Sequence, residues 1–378
     1  MTKPESKNLD LLVITSALDI GGAEKHLIRI VTLAKKEGRK VAVLLLAGGG
    51  ILQEELYREN IEQIVVQKKR GLRFLKTLQS IKKVLISRKP DVLYSVLPVP
   101  NIYAALAGLL SRPQKITWGV RSSSLTTPSF SPQTMIVQLV EAMLSFVPNA
   151  IIFNSNRGLS EHRKRGFFVK RSHVVHNGVN VREIFFDQAE RVATRAAMGI
   201  SKEKFVIGTA ARADYNKGPD LFLEIAEEIF RSHSDIIFCV AGRDWEPFIQ
   251  GKEFLKKKLD SKNIILFGEV FEIRKFLSVL DLFLLTSRSE GTPNALLEAM
   301  ACQRPTVVTP VGDAQFVVGN LELVANRCDP KEIEALIQKI YFKSERERHH
   351  IGEQSHRRIV EKFSIEREYR EVAKVLFD

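Results

Sequence analysis

This chain of 378 residues is most informative first in what it lacks. Its three cysteines, Cys239, Cys302 and Cys328, are odd in number, far apart and without metal-ligand spacing. That argues against a disulfide scaffold and a structural zinc site, and makes a reducing cytoplasmic compartment the expectation. No run approaches the roughly 18 apolar residues that a spanning helix needs. The opening MTKPESKNLDLLVITSA carries no secretory cleavage pattern. The chain is therefore expected not to be integral to a membrane, while a place on a membrane surface stays open. None of the eight histidines forms an H-x-x-x-H or H-E-x-x-H group, and the adjacent His349 and His350 face different ways on a charged helical stretch. With no D-x-D pair either, a bound metal is not expected. Neither G-x-G-x-x-G nor a P-loop occurs, and no cofactor is expected.

What is present describes a globular protein. Hydrophobic residues make up 44% and charged residues 27%, and the length suits two domains of ordinary size. The net charge of +13 favours polyanionic partners: nucleic acid, anionic lipid headgroups or phosphate-bearing substrates. The cations are not interleaved with stacking aromatics, so nucleic acid is not expected as a partner.

Short apolar runs alternate with longer helical patterns. Leu11–Ser16, Val41–Ala47, Ile61–Val66, Val92–Val96, Ile116–Val120 and Ala150–Phe153 read as strands, with a helix over about 22–37. After a loose, charged stretch near residue 185 a second series follows: Phe205–Ala211, Ile236–Ala241, Ile264–Phe267, Leu282–Thr286 and Thr306–Thr309. The alternation predicts an α/β fold with two doubly wound, parallel-sheet domains. The boundaries are 1–184, 185–357 and a closing helix at 358–378 that returns to the first domain. Ligands of such sheets bind beyond the carboxyl ends of strands, so the cleft facing those ends is the expected site.

Three strand-to-helix turns carry the chemistry. In Glu290-Gly-Thr-Pro-Asn-Ala-Leu-Leu-Glu298, Thr292 suits an N-cap and Pro293 a first helical position. The N–H groups over 291–295 and the helix dipole make an anion site, and the two carboxylates suit sugar hydroxyls. A capped surface helix with solvated glutamates is the alternative. In Gly208-Thr-Ala-Ala-Arg212-Ala-Asp-Tyr-Asn-Lys217-Gly218, Arg212 and Lys217 can converge on a diphosphate, or stand as solvated loop cations. In Asp19-Ile-Gly21-Gly22-Ala-Glu24 the glycines allow close backbone approach, or form a plain turn. Gly242-Arg243 and Gly268-Glu-Val270 follow strands and either line a nucleotide pocket or simply turn.

Together these residues resemble glycosyltransferase family 4, which has the GT-B fold of two Rossmann-like domains. The resemblance covers nearly the whole chain and is strongest over 204–318, including Pro305-Thr-Val-Val-Thr-Pro-Val-Gly312. Gly21-Gly22-Ala-Glu24 and His176-Asn177-Gly178-Val179-Asn180 match as well. It implies that Arg212 and Lys217 hold the donor diphosphate, that Glu290 meets the transferred sugar and that Glu298 meets the ribose. Gly291, Thr292, Pro293 and Asn294 would cradle phosphate and sugar, and the backbone near Val270 would meet the base. It further implies a retaining, metal-independent hexosyltransferase using a UDP-sugar. The acceptor would be an alcohol, a lipid-linked saccharide of surface polysaccharide or glycan assembly. Where many members carry a histidine after the fifth strand, this chain has Trp118-Gly-Val-Arg121. Arg121 and Glu24 are the acceptor-side candidates, with an arginine–carboxylate pair as the alternative for Arg121. A nucleotide-sugar epimerase, a phosphorylase or a non-catalytic nucleotide-sugar-binding subunit are the competing functions.

The segment from Lys68 to Lys89 holds Lys68, Lys69, Arg70, Arg73, Lys76, Lys82, Lys83, Arg88 and Lys89 and no carboxylate. Leu72, Leu75, Leu78, Ile81 and Leu85 are expected to face the sheet, leaving the cations outward. Peripheral, salt-sensitive docking on an anionic membrane surface, the inner face of the cell membrane, is the expectation.

Overall fold

A computed structural model describes residues 8–18, 22–66, 73–111, 113–121 and 132–378. The chain forms two compact units. One comprises Met1–His176 with Glu368–Asp378, the other Asn177–Arg367.

The first unit runs β1 (Leu11–Thr15), α1 (Gly22–Lys36), β2 (Val41–Leu45), α2 (Gln53–Arg58), β3 (Glu62–Val65), α3 (Arg73–Arg88) and β4 (Val92–Val96). It continues with α4 (Pro98–Ser111), β5 (Lys115–Val120), α5 (Pro132–Leu144), β6 (Ala150–Phe153), α6 (Asn156–Lys164) and β7 (Ser172–Val174). All pairings are parallel, in the order β3-β2-β1-β4-β5-β6-β7. β1, β2 and β4 are buried on both faces, which is why they read as continuous apolar runs rather than alternating ones.

The second unit runs α7 (Gln188–Ala197), β8 (Phe205–Ala210), α8 (Pro219–Ser232), β9 (Ile236–Ala241), α9 (Glu246–Gln250), α10 (Glu253–Asp260), β10 (Ile264–Gly268) and α11 (Ile273–Val279). Then come β11 (Leu282–Leu285), α12 (Asn294–Ala301), β12 (Thr306–Val308), α13 (Ala314–Val318), α14 (Pro330–Tyr341) and α15 (Glu345–Lys362). α16 (Ile365–Phe377) closes the chain, and from Glu368 onward it belongs to the first unit. The sheet is parallel, in the order β10-β9-β8-β11-β12. Each sheet reverses its winding once, between β1 and β4 and between β8 and β11. The two doubly wound sheets match the expected α/β class.

Two expectations need correction. Leu75 does not face the sheet: it is 61% exposed. The face of α3 that packs is built on Thr77, Ile81 and Leu85, and the 3.6-residue period carries Leu75 away from it. Thr292 is not an N-cap; Pro293 occupies that position and α12 begins at Asn294. Leu72, Lys68, Lys69, Arg70 and the side chain of Arg73 lie outside the described residues.

Candidate active site

The site residues of the second unit gather at its winding reversal, where the loops after β8 and β11 meet. Gly218 has φ +63, and a Cβ there would stand 2.2 Å from the carbonyl oxygen of Thr286. Only glycine lets the two loops approach this closely. Arg288 N–H donates to the Asn216 carbonyl at 2.7 Å, and the Thr286 hydroxyl donates to the Lys217 carbonyl at 3.2 Å. Lys217 and Glu290 thereby come from separate turns into one ion pair, Nζ to Oε1 at 2.6 Å. The Ser287 hydroxyl donates to that same oxygen at 2.7 Å. The Glu290 side chain is 10% exposed and that of Lys217 33%. A half-open pair of opposite charges is held where a ligand can reach it.

Arg212 reaches toward solvent. Its Nε and NH2 bond Asp214 Oδ2 at 3.1 and 2.9 Å, while Asp214 Oδ1 caps the short turn at Tyr215–Lys217 by accepting from Asn216 N–H at 2.9 Å. Asp214 thus orients the guanidinium and fixes the turn that presents Lys217.

The loop from Ser287 to Pro293 is braced from behind. Gly312, at φ +53, allows its backbone to lie against the Glu290 and Gly291 carbonyls, to which a Cβ would come within 2.3 and 2.5 Å. Asp313 N–H donates to the Gly291 carbonyl at 3.0 Å, and Thr309 Oγ1 donates to the Ser287 carbonyl at 2.8 Å. Gly291, Thr292 and Pro293 are buried. The first N–H groups of α12 have no acceptor within their own helix, and Pro293 offers no side-chain cap. The positive end of this dipole is therefore suited to an incoming anion. Asn177 Nδ2 donates to Thr292 O at 3.2 Å and Asn294 Oδ1 at 2.7 Å, so the matched Asn177 orients Asn294. Glu298 lies one turn beyond Asn294, half-buried on the same side of the helix.

The β9 and β10 loops complete the rim. Gly242, at φ +132, approaches Ala211, whose carbonyl oxygen a Cβ would meet at 2.1 Å; that carbonyl accepts from Trp245 Nε1 at 2.8 Å. Gly242 N–H donates to Gly268 O at 2.7 Å. Arg243 is exposed beside Asp244 and Glu269 at 3.7 and 3.8 Å, and Val270 packs partly into the core. Among the described residues no group of three or more His, Cys, Asp or Glu is placed to hold a metal ion.

The remaining candidates belong to the first unit. Gly21 lies outside the described residues; Gly22 starts α1 and Glu24 stands in its first turn. Arg121 directly follows β5 and lies in a buried cluster. Its NH1 lies 3.7 Å from Glu368 Oε1, and His26 Nδ1 lies 2.5 Å from the same oxygen. Burial and the neighbouring Arg121 charge push the His26 imidazole down to about 4, so it is neutral at ordinary pH. The Tyr94 phenol is pushed up by burial. Glu368 lies on α16, so an element distant in sequence supplies the Arg121 counter-charge. Asp214, Ser287 and Thr309 were missed by sequence reasoning: their roles depend on which loops meet. Only the position of Asp214 between Arg212 and Lys217 hinted at its part.

Two family models cover most of the chain: "Glycosyltransferase Family 4" over residues 20–183 and "Glycosyl transferases group 1" over 190–358. The alpha-galactosylglucosyldiacylglycerol synthase of Streptococcus pneumoniae is 31% identical over 151 residues, 38% of this chain and 39% of that protein. The lipopolysaccharide core biosynthesis mannosyltransferase LpsB of Rhizobium meliloti is 29% identical over 154 residues, 39% of this chain and 44% of that one. The matched stretch thus spans less than half of either relative. Among solved structures, Anabaena Alr3699/HepE in complex with UDP-glucose superposes with a TM-score of 0.83 at 18% identity, covering 98% of this chain and 99% of that one. This likeness is one of fold.

Proposed function

The chain belongs to glycosyltransferase family 4 on the GT-B fold, and from that premise we propose that it moves a hexosyl group from a UDP-sugar to an alcohol acceptor, with retention and without a metal. The observation that carries this reading is the Lys217–Glu290 pair, held at 2.6 Å beside the N-terminus of α12. A donor diphosphate draws Lys217 and Arg212 to itself. Glu290, released from the lysine and steadied by Ser287, then accepts hydrogen bonds from the sugar hydroxyls. As the bond to the leaving phosphate breaks, charge accumulates on the diphosphate, and the two cations with the α12 dipole stabilise it. UDP-glucose bound to the structural relative Alr3699/HepE supports a nucleotide-sugar donor here.

The names of the two curated relatives, one a glycolipid synthase and one a lipopolysaccharide core enzyme, support a lipid-linked acceptor. No helix among the described residues is long and apolar enough to cross a membrane. Lys76 and Lys83 are exposed on α3 and Lys89 just after it. With Lys68, Lys69 and Arg70 nearby in sequence, they support docking on anionic lipid, each engaged cation contributing about 1 kcal/mol. The test is a panel of labelled nucleotide sugars offered with lipid-linked acceptors, with and without EDTA. Transfer from a UDP-sugar that persists in EDTA is expected. A strict magnesium or manganese requirement removes the metal-free reading; tight donor binding with neither transfer nor hydrolysis makes the chain a binding subunit.

A further inference from the structure

α5 is built inside out. Its sequence, PQTMIVQLVEAML, contains one ionisable residue, Glu141. That residue faces inward, 2% exposed, and accepts from Asn101 Nδ2 at 2.7 Å. Met135, Ile136, Leu139 and Met143 are instead 61% to 65% exposed, and Phe146, just past the helix end, is 61% exposed. At 100° per residue these five fall within a single arc of about 100°, opposite Glu141. A row this long and apolar on an outer face is unlike scattered exposed leucines, and such patches mark contact surfaces.

The flank of the row is cationic. Arg163, Lys164 and Arg165 at the end of α6 are all exposed. The α6 end is tied beside α5 by Arg165 NH1 donating to Gln138 Oε1 at 3.2 Å, and Phe168 N–H donates to Ser145 Oγ at 2.8 Å. An apolar stripe bordered by basic side chains has the chemistry of the boundary between headgroups and acyl chains. We propose that α5 lies in the plane of an anionic bilayer and inserts Met135, Ile136, Leu139, Met143 and Phe146 below the lipid phosphates, while Arg163, Lys164 and Arg165 bind those phosphates. This deepens the membrane reading above and rests on it. It adds a binding component that salt does not remove.

The experiment is co-sedimentation of the full chain with vesicles of phosphatidylcholine and phosphatidylglycerol at low salt and at roughly 0.5 M salt, where screening shortens to about 4 Å. Binding that persists at high salt is expected, and the double variant Leu139→Gln, Met143→Gln lowers it at least about tenfold. In a second assay, Leu139→Trp is quenched by lipids brominated on the acyl chain, the native Trp118 and Trp245 being buried. Binding at low salt that vanishes at high salt, or no quenching of the new tryptophan, overturns the insertion of α5 and leaves charge-driven docking intact. No vesicle binding in either condition overturns both readings. A dimer in solution that the double variant dissociates, with vesicle binding unchanged, overturns the proposal in favour of a self-association face.

Discussion

Two inward carboxyls, one in each unit, are held in opposite ways. In the second unit Asp281 sits between Arg191 and Arg195 and also accepts from Val206 N–H at 2.8 Å. Burial raises its affinity for a proton, but the two guanidiniums outweigh that and hold the carboxyl below its ordinary range. In the first unit Glu141 is bonded by the neutral Asn101 amide, itself linked to Ser95, and burial pushes it up to about 7. The Asp281 charge is neutralised by cations, as are those at the site, where Lys217 meets Glu290 and Arg212 meets Asp214. The first unit buries a carboxyl without a cation on α5 and turns that helix's apolar side chains outward.

The largest expected effect tests the paired carboxyl. Asp281→Ala leaves Arg191 and Arg195 buried without their counter-charge and should cost about 3–5 kcal/mol, read as a drop in the denaturant midpoint. A loss below 1 kcal/mol would mean that backbone carbonyls satisfy the arginines without Asp281: those of Ser278, Val279 and Leu280 for Arg191, and those of Val279 and Lys204 for Arg195.

Next come the site pairs. Arg212→Ala and Lys217→Ala should each lower kcat/KM by about 100-fold or more, since one preorganised charge at a developing anion is worth about 2.7–4 kcal/mol. KM should worsen as well, because the diphosphate is already charged in the ground state. Glu290→Ala should lose most turnover with the fold intact. UDP affinity unchanged in both cation variants, by calorimetry, would break the pairing argument at the site.

Glu141 offers the opposite sign. The folded protein keeps its proton up to about pH 7, whereas the unfolded chain releases it near the ordinary 4.5. The folded state therefore binds the extra proton between those values, so stability falls as pH rises through that window and stays lower above it. Glu141→Gln should raise stability at pH 8 by up to about 3 kcal/mol and change little at pH 5. Melting curves at the two pH values read this directly; equal shifts at both would show that Glu141 is ionised when folded.

The smallest effect tests the loop contact. Gly218→Ala places a Cβ against Thr286 and strains a left-handed backbone, costing roughly 1–3 kcal/mol. Its mark should be weaker donor binding, because Lys217 and Glu290 lose register. An unchanged Kd for UDP would show that the two loops need not touch.

The strands were legible because buried parallel strands read as apolar runs, and the expected ones lie within a residue or two of those observed. β7 was not: Ser172–Val174 is a three-residue edge strand with no apolar run. The Glu290 and Arg212 turns were legible because strand, glycine and helix succeed one another locally. Thr292 and Pro293 both fit a helix start by residue type, so the N-cap of α12 was not legible; in the fold Pro293 takes it, while the Thr292 carbonyl accepts from Asn177 Nδ2.

Sequence alone thus determined most strands, the parallel α/β class and the loops that carry charge, because these follow from periodicity and turn chemistry within a few residues. Tertiary structure decided which charges face each other. Lys217 finds Glu290, Arg121 finds Glu368, and Asn101 finds Glu141 only after elements far apart in the chain have packed. It also decided which way α5 points. An apolar stripe has the same period whether it faces a sheet or the outside, and only the burial of Glu141 on the opposite side distinguishes the two.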